Sequence, residues 1–250
     1  MNNRQINDRF KRFYGELYSS ESDMDKLKEG HFLKNLMIPQ LSDHQAKSLE
    51  APISLLEIDT AISSLKSGKT PGADGFPAEF FKAVKSKINK LLLKVFNKST
   101  EDSKLPDSMY LAYITLILKK NKDPEQCSSY RPISLLGVDM NILSKVLAYR
   151  LERIMTQIVD ADQTGFIKGR MSYYNTRRLF NIIHYLNHCQ IPGAIVTMDA
   201  EKAFDRVEWE YMYEILKRFG FQPNFLGWIK LLYKIPTAFC SDKWSCLNTV

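Results

Sequence analysis

Between Met109 and Ile158 the chain changes its repeat, and that change limits what it can fold into. Met109–Leu118 (MYLAYITLIL) is dense in β-branched and aromatic residues and reads as a strand. It runs into Lys119-Lys120-Asn121-Lys122, a basic turn, and a second short strand follows through Arg131-Pro132-Ile133-Ser134-Leu135. From Ile142 the period becomes helical, with Val146, Leu147, Leu151, Ile154, Met155 and Ile158 recurring on one face. Two short strands followed by a long amphipathic helix predict an α+β fold with antiparallel pairing.

The flanking segments read in the same way. Ser54 is placed to cap a helix carrying Leu55, Ile58, Ile62 and Leu65 and ending near Ser67-Gly68. KTPGADGFP then holds a Pro-Gly and an Asp-Gly turn signal. Phe80, Phe81, Val84, Ile88, Leu91, Leu92 and Val95 predict one core-facing helix, and another is expected from Asn175 to His188. Ile191-Pro192-Gly193 breaks it, and Ala194–Met198 is expected to be a buried strand ending at Asp199. Two closing helices are expected, Val207–Phe219 and Phe225–Tyr233. The first fifty residues read as short helices joined by polar turns such as LYSSESDMDKLKEG.

Hydrophobic residues make up 44% of the 250, enough for a sizeable core. No apolar run reaches the roughly 20 residues of a membrane span, and the N-terminus lacks the apolar core of a signal peptide. The expectation is an intracellular protein without a membrane partner, with nucleus and cytoplasm both open. Cys127, Cys189, Cys240 and Cys246 form no C-x-x-C pair, which argues against a disulfide framework and a thiolate zinc site. His184 and His188 share a helical face, but no Glu completes an H-E-x-x-H pattern, so they read as surface histidines. The net charge of +7 is uneven. Residues 119–178 hold 11 Lys and Arg against 6 Asp and Glu, while residues 179–250 balance at 7 each. A basic stretch of this kind suits a phosphate backbone, and equally a solvated face on a basic protein.

The sharpest motif is MDAEKAFDRVEW, residues 198–209, where an apolar run ends in a carboxylate. Four further segments stand ahead of it: SGKTPGADGFPAEFFK (67–82), ITLILKKNKD (114–123), YRPISLLGVDMNILSKVLAYRLE (130–152) and DQTGFIKGR (162–170), the last with Asn175. In content and order these five resemble the reverse transcriptases of non-LTR retrotransposons, of the long interspersed element type. Weaker similarity runs back through FYGELYSS and forward through LKRFGF and WIKLLY.

The resemblance implies a right-hand polymerase fold, here fingers and an incomplete palm with the thumb absent. The implied divisions are a helical extension over 1–52, a fingers region over 53–190 and a partial palm over 191–250. It implies an RNA template, a DNA primer and a dNTP as partners, and Mg²⁺ as cofactor through two-metal displacement. Asp199 matches the catalytic carboxylate that holds Mg²⁺, assisted by the carbonyl of Ala200. Phe204 matches the bulky gate beneath the incoming sugar; taken without the motif it reads as a core aromatic. Arg131 matches the fingers arginine on the triphosphate, for which a forked guanidinium is suited, and Lys119 a lysine of the same hairpin. Gln163 and Arg170, with Gly165 and Phe166, match the segment beside the template, although Gly165 reads more readily as a turn. Asp205 belongs to the motif but can equally cap the helix that follows. Leu118 and Lys168 stand where the family pattern often has Pro.

The family's second carboxylate cluster is Asp-Asp, and no such dipeptide occurs among the 250 residues. The expectation is a chain that ends before the polymerase site is complete, inactive alone, with apolar surface exposed near Asp199. A non-catalytic nucleic-acid-binding module and the product of a decayed element remain open. The absence of a P-loop, a dinucleotide loop and a nucleophile elbow disfavours a small-molecule enzyme.

Overall fold

The computed structural model describes residues 3–20 and 37–240. Most of the polar stretch 17–30, together with Asp242 and Cys246, therefore lies outside the described residues. Helix α1 (Asn3–Tyr18) is followed by α2 (Asp43–Glu50), α3 (Leu55–Ser63), α4 (Ala78–Ala83) and α5 (Lys85–Glu101). Strands β1 (Leu111–Leu118) and β2 (Tyr130–Leu136) come next, then the long helix α6 (Val138–Ile158). Helices α7 (Tyr173–His188), α8 (Trp209–Arg218) and α9 (Pro223–Leu232) lead to β3 (Thr237–Cys240). This is an α+β arrangement with a sheet ordered β2-β1-β3. No helix among the described residues is long and apolar enough to cross a membrane.

The expected antiparallel pair forms, with Ile117 opposite Arg131 and Leu118 opposite Tyr130. β3 pairs parallel with β1, a strand the sequence reading did not anticipate. Ser54 caps α3 through a full capping box: its hydroxyl accepts the Glu57 N–H at 3.3 Å, and the Glu57 carboxylate accepts the Ser54 N–H at 2.9 Å. The helix stops at Ser63 rather than near Gly68. The single helix expected through Phe80–Val95 is two, because the chain breaks at Val84. That break re-aims the apolar face, so Phe81, Leu92 and Phe96 are buried while Phe80 and Leu91 stay exposed.

One core runs from Leu41 to Leu231. α6 supplies its spine through Ile142, Leu143, Val146 and Leu147. α3 adds Ile58, Ala61 and Ile62, α5 adds Leu92 and Phe96, and α9 adds Phe225 and Trp228. Burying side chains of this size stabilises by about 1.5–3 kcal/mol each.

A charged residue sits inside this spine. Arg150 follows the apolar period of α6 and is 4% exposed. Its guanidinium donates to both Glu57 carboxylate oxygens (Nε–Oε1 2.6 Å, Nη2–Oε2 2.8 Å) and to the carbonyls of Leu49, Ala51 and Pro52. It thereby ties α6 to the end of α2, the linker and the start of α3. A buried charge is tolerated when it is paired and fully hydrogen-bonded, as here. Burial pushes the Glu57 carboxyl up, but the Arg150 hydrogen bond, the Ser54 N–H and the Arg150 charge together hold it below the usual value.

The PGADG turn meets α6 at its start. A Cβ on Gly72 would lie 2.5 Å from the Gly137 nitrogen, so the two backbones touch only because position 72 has no side chain. Gly75 takes a left-handed φ of 74°, which the Asp-Gly turn requires. Asp74 lies close enough to Asp139 for its charge to act there. Burial first, and then the Asp74 charge, raise the Asp139 carboxyl above its ordinary value.

The strand expected at Ala194–Met198 does not form. The segment 191–200 has no regular structure, and Val196 and Met198 are exposed. A strand needs a hydrogen-bonded neighbour on at least one side. Among the described residues, β1 takes β2 and β3 as its neighbours, and none pairs with 194–198. Its β-formers record a preference without a partner.

Candidate nucleotide and nucleic-acid site

Lys119 and Arg131 stand on the β1–β2 hairpin. The Lys119 N–H continues the ladder to the Ser129 carbonyl at 2.8 Å, and its ammonium folds back to donate to the Ser128 carbonyl at 2.8 Å. Arg131 is exposed on the strand face that carries Ile117 and Ile133, both also exposed. The hairpin thus offers an open guanidinium between two apolar side chains.

Gln163 and Arg170 lie in the turn between α6 and α7. Arg170 donates to four backbone carbonyls: Asp160, Gln163 at 2.8 Å, Thr156 at 3.0 Å and Val159 at 2.8 Å. It closes the C-terminal end of α6, where carbonyls lack helical partners. The Gln163 amide donates to the Gly165 carbonyl at 3.0 Å. Asn175 donates to the Asp162 carbonyl at 2.7 Å, and Arg178 pairs with the Asp162 carboxylate. These bonds leave Phe166 at a left-handed φ of 63° with its ring in solvent.

That ring meets the motif. Phe166 and Phe204 lie edge to face, 5.5 Å between centroids and 90° between planes. Phe204 is 80% exposed, so it is not a core aromatic. Asp199 and Ala200 precede it on the irregular segment, both exposed, and Lys202 turns the chain with a φ of 52°. The N–H groups of Asp205 and Arg206 then donate to the Lys202 carbonyl at 3.0 and 3.1 Å. The apolar exposure expected near Asp199 is present: Met198 is 90% exposed, and α7 alongside in sequence buries none of its residues.

Asp205 does not cap the following helix, which starts four residues later at Trp209. Its carboxylate instead accepts the Tyr18 hydroxyl of α1 at 3.5 Å. Burial first, and then the Asp205 charge and hydrogen bond, push the Tyr18 hydroxyl up to about 12. Sequence reading missed this partner. The spacing of Phe10, Phe13, Tyr14 and Tyr18, three, four and eight residues from the first, was the available signal.

Mg²⁺ wants oxygen ligands and completes its shell with water and substrate phosphates. A two-ion clamp needs carboxylates that reach both ions. Asp199 supplies one exposed carboxylate. Among the described residues no group of three or more His, Cys, Asp or Glu side chains could hold a metal. This donor set does not by itself fit two ions.

Residues 117–248 match the reverse transcriptase (RNA-dependent DNA polymerase) family. The chain is 29% identical, over 96% of its length, to the transposon TX1 uncharacterized 149 kDa protein of Xenopus laevis. It is 30% identical, over 74% of its length, to the probable RNA-directed DNA polymerase from transposon BS of Drosophila melanogaster. Over 62% of its length it is 27% identical to the RNA-directed DNA polymerase from mobile element jockey of Drosophila funebris. It spans 18%, 22% and 17% of those three proteins. Every candidate residue, from Lys119 to Phe204, falls inside the family match, and the chain belongs to the reverse transcriptase family of non-LTR retrotransposons.

Proposed function

We propose that this chain is the fingers and the first-carboxylate part of the palm of an RNA-directed DNA polymerase, with 53–190 as fingers and 191–250 as palm. It binds an RNA template, a DNA primer and a dNTP. One observation carries the reading: the Phe166–Phe204 contact joins two motifs 38 residues apart that the family places at one site. The roles follow from each residue's setting. Arg131 is exposed and unburdened by an ion pair in the described structure, and it takes triphosphate oxygens bidentately. Lys119 adds a point charge beside it. Phe204 blocks a 2′-hydroxyl, with Phe166 buttressing its ring, and the Ala200 carbonyl would assist Asp199 in holding the metal. Gln163 meets the template from a turn that Arg170 holds rigid. Asp199 supplies one carboxylate toward Mg²⁺, the ion the family uses to organise phosphoryl transfer.

Because that carboxylate stands without an Asp-Asp partner in the sequence, the 250-residue chain alone is expected to bind without incorporating nucleotide. Two measurements test this. Purified chain is titrated with a fluorescent RNA–DNA duplex across a salt series, and log affinity is expected to fall linearly with log salt. Arg131→Ala and Lys119→Ala, which act on the dNTP rather than the duplex, are each expected to weaken binding of a titrated dNTP about tenfold, the scale of one charge-assisted hydrogen bond, and to leave the duplex slope unchanged. A slope near zero in the unaltered chain overturns the nucleic-acid reading. Asp199-dependent dNTP incorporation by the chain overturns the assignment of an incomplete site.

A further inference from the structure

Helix α1 ends at Tyr18, nearly a hundred residues before the family match begins at 117, yet it touches both halves of the candidate site. Its ring stripe is Phe10, Phe13, Tyr14 and Tyr18, with Tyr14 buried between neighbours 5.2 to 6.3 Å away. At one end the Phe10 ring meets the Tyr130 ring edge-on, 5.2 Å between centroids and next in sequence to Arg131. From Phe13 onward three contacts reach the motif turn. The Lys202 ammonium lies 4.6 Å from the Phe13 ring centroid. The Tyr18 hydroxyl donates to Asp205 at 3.5 Å, and the Ser20 hydroxyl donates to Glu208 at 2.9 Å.

We propose that α1 is a positioning element of the site, a brace that sets the 199–208 turn at a fixed distance from the hairpin carrying Arg131, with Tyr18 on Asp205 as its contact at the turn. Eight residues of α-helix separate Phe10 from Tyr18, a span of about 12 Å. The turn needs such a brace because 191–200 makes no sheet and its apolar residues are exposed. Besides the ring contact with Phe166, the turn is tethered by Phe13 and Tyr18 of α1 and by Ser20 just beyond its end. Residues 3–18 thus belong to the site in space although they lie outside the family match. The mechanical claim stands apart from the catalytic reading; only its bearing on nucleotide chemistry rests on that reading.

Hydrogen–deuterium exchange on the full 250-residue chain tests it without any need for activity. Peptides covering 199–208 report the turn, and peptides covering 142–154 report the α6 core. Tyr18→Phe and Asp205→Ala are each expected to speed exchange in 199–208 about threefold, the scale of one modest hydrogen bond, and to leave 142–154 unchanged. Because both remove one contact, the double variant is expected to be no faster than either single. Asp205→Asn keeps an acceptor for the Tyr18 hydroxyl and is expected to preserve most of the protection. Unchanged exchange at 199–208 overturns the brace. So does a double variant whose effect is the product of the singles, or an Asp205→Asn that behaves like Asp205→Ala. Acceleration spread equally into 142–154 also overturns it, by reducing α1 to a general stabiliser. A failed duplex titration with an intact exchange pattern would sink the polymerase reading and leave the brace standing.

Discussion

Arg150 and Asp199 are charged residues in two strongly family-like segments, and their surroundings are opposite. Arg150 lies in the core with both guanidinium edges occupied by Glu57 and three carbonyls. Asp199 lies on a segment without regular structure, exposed among exposed Val196, Met198 and Phe204. The first region earns its geometry from burial. The second is held by a ring contact, a turn closed on Lys202 and the α1 tethers. Stability and the proposed chemistry are therefore separable in this chain: a substitution can be severe for one and nearly silent for the other.

The largest effect should come from the clasp. Arg150→Met keeps the length of the side chain but leaves the Glu57 carboxylate half-buried and three carbonyls without their donor. Breaking one side of a buried pair costs about 3–5 kcal/mol. Urea unfolding is expected to show a lower midpoint with an unchanged slope, the two together giving a loss of that size. A loss below about 1 kcal/mol would mean that Arg150 is no more than a surface-grade pair, and the contrast with Asp199 would collapse.

Much of this contrast was legible in the sequence, and the parts that were not have physical causes. The hairpin, the Ser54 cap and α6 were readable because each is decided by neighbours a few residues away. Arg150 was overlooked although it falls on the same helical period as Leu143, Val146, Leu147 and Ile154. A buried arginine is credible only once its partners 93 to 101 residues away are known. The strand at 194–198 failed for the converse reason: residue preference was present, but no hydrogen-bonding neighbour stands among the described residues. β3 is short, and its pairing with β1 spans more than a hundred residues, beyond the reach of local pattern. In the motifs, residue identity put every candidate residue inside the family match. It could not tell that Arg170 is occupied by four carbonyls or that Asp205 turns toward Tyr18.

Acidification should sharpen the same comparison with a smaller effect. Glu57 is held below its ordinary value of 4.5. A depressed carboxylate contributes stability that is present above the unfolded value and is lost as pH falls through the folded one. Unfolding free energy of the unaltered chain should therefore fall as pH drops below 4.5, and that component should be much smaller in Arg150→Met, where only the Ser54 bonds still oppose burial. Asp139 works in the other direction, since burial and Asp74 raise it. Its penalty is absent at low pH and grows as pH rises through its ordinary value, so Asp139→Asn should remove an opposing slope. Parallel pH curves for the unaltered chain and Arg150→Met would show that Glu57 draws nothing from its partner.

The smallest stability effects should come from the site itself. Phe204→Leu forfeits one exposed ring contact, and Asp199→Asn removes a carboxylate with no described partner to leave stranded. Substitutions at exposed positions away from caps, cores and buried pairs usually stay within about 0.5 kcal/mol, and both variants should unfold within that margin of the unaltered chain. A local readout should separate them: Phe204→Leu releases the Phe166 ring, so exchange in 162–170 should rise while Asp199→Asn leaves it alone. If Asp199→Asn instead cost as much as Arg150→Met, the carboxylate would have to be buried and bonded in solution. The segment around it would then be a built part of the fold rather than an open edge held in place by α1.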